Sequence, residues 1–493
     1  MTSYKKSIKK NYIYNLSYHL LSLLTPLIVM PYISRVLGNY GVGQYAFTYS
    51  LITYFVLFAS LGFEIYAQRE IARFQGDKKE QTKVFLEIII ARSISALLAL
   101  GVHFALILSN VYGEVYTILM WILTINILAV FFDISFLFRG NEDFGILALV
   151  ASLFKIGGVA SIIIFVKDES HLWLYTFLQS IVLIVSNLSM WIFLPKYLVG
   201  LKGEKLNIKR HFAPCLRLFI PTIAVSVYTV LDKTLIGLMV PGTVEINGVE
   251  KSIADIENGN YEQAEKIVKM AMMIITSLGT VMIPKNSSII ESGDFNQFKN
   301  NIDKALKFVF YLGTPITLGL LAVSQNFAPW FFGEGYEKVP FLMMMFSPLI
   351  LIIGISNVIG LQYLLPLKKD RKYTLAILSG AFTNLLLNLI LIPFLKSFGA
   401  CIATIVGELA VTSVMLLFAK KDVALLKSIA SMWKPILSSC IMFVIVFITQ
   451  YFLTPSILHT MFLVFEGIIV FLLAIVILRE ETMVKTFKKI FKR

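Results

Sequence analysis

The chain has 493 residues, of which 57% are hydrophobic and only 15% charged, with a mean hydropathy of +0.78. A water-soluble protein of this length would carry far more charge, so that class is excluded. The net charge of +14 suggests a nucleic-acid partner at first sight, but its distribution along the chain excludes one.

The apolar residues fall into fourteen runs, most of about 20 residues, long enough to cross a bilayer as helices. They cover 14–37, 44–67, 84–108, 116–138, 144–166, 173–195, 213–241, 263–290, 305–325, 340–365, 373–395, 400–419, 435–453 and 459–478. Membrane barrels show short alternating segments instead, so the expected fold class is an all-α integral membrane protein with about 14 transmembrane helices. The first run is too long for a signal-peptide core and lacks a small-residue cleavage site after it, so it is expected to stay as a span. Between spans 7 and 8, Thr243-Val-Glu-Ile-Asn-Gly248 reads as a hairpin and Asp255-Ile-Glu-Asn-Gly259 as a following turn. The tail from Glu481 to Arg493 places Met483, Phe487, Ile490 and Phe491 at helical spacing among lysines, as an anchor on an anionic leaflet would.

Alternate loops hold the basic residues. Residues 1–13, 68–83, 139–143, 196–212, 285–304, 366–372, 420–434 and 479–493 contain 32 of the 44 lysines and arginines. The opposite loops hold four: Lys167, Lys251, Lys338 and Lys396. The positive-inside rule then places both termini in the cytoplasm. Cys215, Cys401 and Cys440 offer neither a disulfide framework nor metal spacing and are expected to be small buried hydrophobes. No metal and no organic cofactor is expected.

An internal repeat is visible. Ser60-Leu61-Gly62 recurs as Ser277-Leu278-Gly279, and Gly76-Asp77 as Gly293-Asp294, both at an offset of 217. At an offset of 229, Phe144, Phe154 and Phe165 fall on Tyr373, Thr383 and Phe394, and Gln179 falls on Glu408. Spans 1–6 thus pair with spans 7–12. Six is even, so the two copies share one orientation, as parallel repeats do, and the cavity between them is the default substrate path. The expected organisation is an N-lobe over 1–197, a basic linker over 198–212, a C-lobe over 213–419, spans 13–14 over 420–478 and the tail over 479–493.

Several short segments, in order, carry a family resemblance: Asn15-Leu16, Pro31-Tyr32-Ile33-Ser34-Arg35-Val36-Leu37-Gly38, Tyr40-Gly41-Val42-Gly43-Gln44-Tyr45, Glu70-Ile71-Ala72-Arg73, Leu231-Asp232-Lys233-Thr234, Tyr261-Glu262-Gln263-Ala264 and Gly399-Ala400-Cys401-Ile402-Ala403-Thr404. With the fourteen-span layout, the chain resembles the oligosaccharide flippases, the Wzx-type polysaccharide-transport branch of the multidrug/oligosaccharidyl-lipid/polysaccharide (MOP) exporter superfamily. The resemblance implies two six-helix lobes around a central cavity, two extra helices and alternating access. It implies transfer of undecaprenyl-pyrophosphate-linked glycan from the inner to the outer leaflet of a bacterial cytoplasmic membrane, and other polysaccharide-assembly membrane proteins as partners. A monomer is expected to suffice. The stretch between span 7 and Tyr261 is longer than the family pattern.

A charge at mid-bilayer costs roughly 2.5–3.5 kcal/mol on insertion scales and is rarely left in lipid. Lys155 in span 5 is the deepest base. Lys233, Arg35, Arg217 and Arg92 complete the candidate set for holding an anionic headgroup, since basic groups in a low-dielectric cavity hold phosphate strongly. The alternatives are an ion pair for Lys155, a surface-reaching role for Arg35 and topological roles for Arg92 and Arg217. Lys266, Lys269 and Lys307 read as solvated helix-end charges. Glu408, Asp232, Glu466 and Asp133 are candidates for coupling to H+ or Na+, with Glu408 first; Glu64 and Asp133 could equally pair with Arg69 and Arg139. Pro26, Pro31 and Pro221 lie in the first span of each lobe and could bend it, or could be fixed packing kinks. Gly41-Val42-Gly43-Gln44-Tyr45-Ala46 fits a dinucleotide fingerprint only formally, because no strand precedes it. No Walker motif is present, and the chain is not expected to be an enzyme. Rival readings are a peptidoglycan lipid-precursor flippase, a multidrug exporter, which would need carboxylates to dominate its cavity, and a membrane glycan polymerase or transferase, which would need a sizeable exterior domain or an acidic cluster.

Overall fold

The computed structural model describes residues 8–201, 204–423 and 425–480; the side chains of 8–20, 22–23 and scattered positions in 218–228 and 278–285 fall outside that description. The expected amphipathic tail lies outside the described residues, apart from its first two.

The described chain is helical except for one hairpin and short connections. In the first half, α1 (Ile8–Ser60), α2 (Phe63–Arg73), α3 (Lys78–Leu108), α4 (Glu114–Phe132), α5 (Ser135–Gly140), α6 (Phe144–Phe165), α7 (Leu172–Met190) and α8 (Phe212–Met239) follow one another. In the second, the strands β1 (Thr243–Ile246) and β2 (Val249–Ser252) precede α9 (Ile253–Glu291), α10 (Phe295–Phe332), α11 (Val339–Phe346), α12 (Leu349–Asn357), α13 (Asp370–Ala419), α14 (Leu425–Ser431), α15 (Trp433–Gln450) and α16 (Ile457–Ile477). Among the described residues, ten helical stretches are long and apolar enough to cross a membrane. Two of them are double. α1 breaks at Gly38 (φ 65°, ψ 177°) and α13 at Lys396 (φ 53°, ψ −128°). With α8 and α9, the layout accommodates the fourteen runs. Large apolar side chains such as Leu149, Leu153 and Ile156 of α6 are exposed, which suits a surface facing lipid rather than water.

The chain forms two compact units, residues 1–234 and 235–493. The boundary falls inside α8, beyond the expected linker, because the first part of α8 belongs to the first unit. A Cβ on Gly62 (φ 73°) would stand 2.9 Å from the Cys215 carbonyl, so only glycine permits that approach. Thr234 meets the Ser50 hydroxyl at 2.8 Å and that of Tyr54 at 3.1 Å.

The basic loops of each unit converge on one end of it. In the first, Lys79 and Lys83 both pair with Glu204, at 2.8 and 3.2 Å, and Lys196 pairs with Asp143 at 3.1 Å. In the second, Lys299 pairs with Asp422 at 2.7 Å, and Tyr363 donates to the same carboxylate at 2.6 Å. Between helices in lipid the hydrophobic drive is weak, and packing and hydrogen bonds hold them together. Phe63, Phe85, Phe136 and Phe138 pack at the basic end of the first unit. Ala322 of α10, Met442 of α15 and Leu463 of α16 tie the last two spans into the second unit.

The repeat has a structural counterpart in part. Gly76 (φ 99°) and Gly293 (φ 81°) both take the left-handed turn before a helix. Asp77 then caps α3 by accepting from Lys79 and Glu80 N–H, and Asp294 caps α10 by accepting from Gln297 N–H at 2.8 Å. Gly62 breaks the chain between α1 and α2, whereas Gly279 lies inside continuous α9.

The hairpin forms as expected, with Asn247 and Gly248 at positive φ in the turn and Ile246 opposite Val249. The expected turn over 255–259 does not form: α9 starts at Ile253 and runs through it. Cys440 is exposed on α15, unlike buried Cys215 and Cys401, because that face of α15 is apolar and outward.

Candidate functional site

In the first unit, α1, α2, α3, α4 and α7 enclose an open cavity of about 210 Å³. Ser60, Glu64, Arg92, Asn126, Asp133 and Asn187 supply its polar lining. Arg92 is buried on α3. Its guanidinium donates to the Asp133 carbonyl and, at 3.4 Å, to that of Phe131, and lies 5.5 Å from the centre of the Phe136 ring. Asn187 donates to the Ala129 carbonyl at 2.9 Å and Trp191 to that of Phe132 at 2.8 Å. The last carbonyls of α4 would otherwise be orphaned, and a cation there suits the helix dipole. Arg92 therefore spends one nitrogen closing a helix end; its Nε and the Asn126 Oδ1 are buried with no hydrogen-bond partner. The Asp133 carboxylate accepts from Ser135 N–H at 2.9 Å, and Glu64 pairs with Arg139.

The other sequence-derived bases are dispersed. Lys155 is half-buried near the middle of α6, on the same stripe as buried Ala148, Gly158 and Ile162 and not on the lipid-facing one. Lys233 is half-buried on α8, next to buried Asp232. Arg217 is exposed near the start of α8, and Arg35 is exposed near the end of the first arm of α1, with the Pro31 carbonyl 3.4 Å away. Pro26 and Pro31 lie inside that arm without breaking it; the non-helical position is Gly38. Pro221 lies inside α8, and its side chain is not among those described.

In the second unit, Glu408 is buried on the second arm of α13. The two arms of α13 pack closely. A Cβ on Gly380 would stand 2.1 Å from Val411 Cγ2 and 2.8 Å from the Gly407 carbonyl. Asn384 and Asn388 are buried on the first arm, and the Asn388 amide donates to Asn384 at 3.0 Å. Glu466 accepts from Thr449 at 2.9 Å, between α16 and α15, while its other oxygen is buried with no partner.

The first turns of α9 carry acidic residues, of which Asp255, Glu257 and Glu262 precede the expected start of span 8 at residue 263. Asp255, Glu257, Glu262 and Glu265 are all buried. Glu257 holds Lys338 and accepts from Ser397, and Tyr261 meets Thr404 at 3.1 Å. Glu262 pairs with Lys266 and Glu265 with Lys269, each at 2.7 Å, so neither lysine is a simple solvated end charge. The Glu262–Lys266 spacing was the signal that helix begins before residue 263. Lys307 likewise pairs with Asp303 at 2.7 Å.

Residues 8–290, more than half of the chain, match the model of the family described as "Polysaccharide biosynthesis protein". The chain belongs to this family. Among the relatives of this family member, the "Putative O-antigen transporter" of Escherichia coli (strain K12) is 24% identical over 426 residues, covering 86% of this chain and 99% of the relative. Lipid II flippase MurJ of Bacillus subtilis (strain 168) is 19% identical over 445 residues, covering 82% and 81%. A solved structure of Lipid II flippase MurJ in an inward closed conformation aligns with a TM-score of 0.71 at 19% identity, over 96% of this chain and 99% of that one. An inward-facing MATE multidrug transporter of the MOP superfamily aligns at 0.61 and 13% identity, over 80% and 94%. The family member thus has the MOP exporter fold, an all-α multi-pass membrane architecture; its named relatives are transporters and flippases rather than enzymes.

Proposed function

We propose that the protein is a flippase for a lipid-linked glycan, moving an undecaprenyl-pyrophosphate-linked oligosaccharide from the inner to the outer leaflet of a bacterial cytoplasmic membrane by alternating access. The family match over residues 8–290 carries this reading, and relatives spanning most of the chain support it. Both termini lie in the cytoplasm, on the side of the basic loops.

Charge supports an anionic cargo. Lys155 sits at mid-span on a protein-facing stripe of α6, away from lipid, where a basic side chain suits an anionic headgroup. Lys155 and Lys233 hold the pyrophosphate, with Arg35 and Arg217 nearer the ends. Arg92 borders the first unit's cavity while its Nη2 closes the end of α4. Glu408, Asp232, Glu466 and Asp133 are the carboxylates through which H+ or Na+ drives the cycle. Pro26, Pro31 and Pro221 mark where the first span of each lobe flexes.

Removal of the protein should leave lipid-linked glycan accumulating on the cytoplasmic side, and Lys155→Ala or Lys233→Ala should abolish surface glycan while the protein remains in the membrane. Normal surface glycan from both variants would overturn the basic-cargo reading. The fold likeness to Lipid II flippase MurJ favours one second reading, a peptidoglycan precursor as cargo. Rescue of cells depleted of their own precursor flippase would establish it in place of the first.

A further inference from the structure

Two basic loops of the second unit meet around a cavity that the transport reading does not use. It has a volume of about 370 Å³, at the lower end of ordinary ligand sites. One face of α10 supplies Lys299, Ile302, Asp303, Leu306 and Lys307, spaced as one helix stripe. Asp422 and Val423 of the following loop, with Lys427, Ser428 and Ser431 of α14, complete the wall. The floor is apolar, with Ile302 and Leu306 buried. The rim carries three ammonium groups.

Its carboxylates are already engaged. Asp422 is held by Lys299 at 2.7 Å and by the Tyr363 hydroxyl at 2.6 Å. Asp303 is held by Lys307 and by the Ser428 hydroxyl, both at 2.7 Å. Lys427 makes no ion pair among the described residues. Lys299 and Lys307 each use one ammonium hydrogen on a carboxylate, and an ammonium has three. The cavity therefore offers cationic donors over an apolar floor.

Its depth is marked independently. α14 joins the end of one span, Ala419, to the start of the next, Trp433. Leu426 on α14 is 82% exposed and Trp433 is 52% exposed, with the Lys434 ammonium 5.8 Å from its ring centre. An outward leucine, a tryptophan and a lysine together are the signature of the membrane–water interface.

We propose that this cavity binds a phosphate-bearing anion at headgroup depth, supplied by an anionic phospholipid of the cytoplasmic leaflet. Lys427 is the principal cation, Lys299 and Lys307 flank it, and the apolar floor receives the glycerol and upper acyl chain. Basic pockets beside transmembrane helices suit such headgroups, each interfacial lysine giving roughly a fivefold gain in affinity. The site is separate from the proposed cargo path, so its test does not depend on the identity of the cargo.

The full chain is placed in nanodiscs of phosphatidylcholine doped with phosphatidylglycerol, and retained lipid is read by native mass spectrometry after extraction. Wild-type protein should retain phosphatidylglycerol over phosphatidylcholine. Lys427→Glu should reduce that retention at least about fivefold. Lys304→Glu, the same charge change on an exposed α10 position outside the cavity, should not. Equal retention by wild type and Lys427→Glu, or equal loss in both variants, would overturn the site. Addition of excess inorganic phosphate separates the sources. Undisturbed lipid retention supports a headgroup site, whereas displacement of the lipid by phosphate overturns the lipid assignment and leaves a site for the free ion.

Discussion

Glu87 on α3 lets the weight of one contact be worked out from the structure. Its side chain is fully buried, and it accepts from Asn207 N–H at 2.7 Å, from Arg210 Nη2 at 2.6 Å and Nε at 2.9 Å, and pairs with His211 Nε2 at 2.7 Å. His211, also fully buried, is held on its other nitrogen by the Tyr66 hydroxyl at 2.8 Å. One carboxylate thus fastens the segment before α8 onto α2 and α3. Glu87→Ala would leave the buried His211 imidazole without its hydrogen-bond partner and the exposed Arg210 guanidinium without its carboxylate, and an unsatisfied buried group typically costs about 1–3 kcal/mol. For a unit of this size each kcal/mol lowers the midpoint by about 2–4 °C, so the expected fall is about 2–12 °C. Glu87→Gln keeps the shape and one acceptor for Asn207 but turns amide hydrogens toward two donors, and it should lose nearly as much. The assay is thermal unfolding of purified protein in detergent, paired with limited proteolysis after residue 198. A midpoint within about 1 °C of wild type for both variants, with the segment still protected, would refute the reasoning.

Other outcomes are equally definite. Gly380→Ala would drive a methyl into Val411 and the Gly407 carbonyl, and should cost about 1–3 kcal/mol of stability by the same unfolding assay, because the two arms of α13 cannot both give way. Asp422 is held below the ordinary carboxylate range by Lys299 first, and also by Tyr363. A depressed folded value means its stabilisation is complete above the unfolded value of about 3.9 and is lost as pH falls through the lower folded value. Wild-type midpoints should therefore fall between pH 5 and 3 more steeply than those of Asp422→Asn, and parallel profiles would contradict this.

Much of the fold was readable because the bilayer imposes its thickness on the sequence. Run length gave the spans, and loop charge put the segments that hold Asp143, Lys196, Lys299 and Asp422 in one set of basic loops. Asn247-Gly248 announced its turn because few other pairs tolerate two positive φ angles. The Gly-Asp echo was legible for the same kind of reason, since it sets a backbone angle and a cap.

Residues 253–262 were misread because a helix whose polar side chains are buried among partners has the composition of a loop. Arg92 shows the complementary gap. Its depth in span 3 was evident, but that it would close the end of α4 depends on where another helix stops. Lys155 is intermediate: periodicity placed it at mid-span, and only the packing of Gly158 against Val182 showed which way its stripe faces.

The two-stranded hairpin at Thr243–Ser252 bears on how the molecule could be tracked in living cells. Residues 241–250 are all exposed, and the tip pair Asn247 and Gly248 closes the ladder without supporting a helix. A short epitope spliced into that tip would leave every span untouched. Antibody reaching it on intact, wall-permeabilised cells would report which face of the membrane the hairpin occupies, and would follow the protein's abundance without a fusion at either terminus.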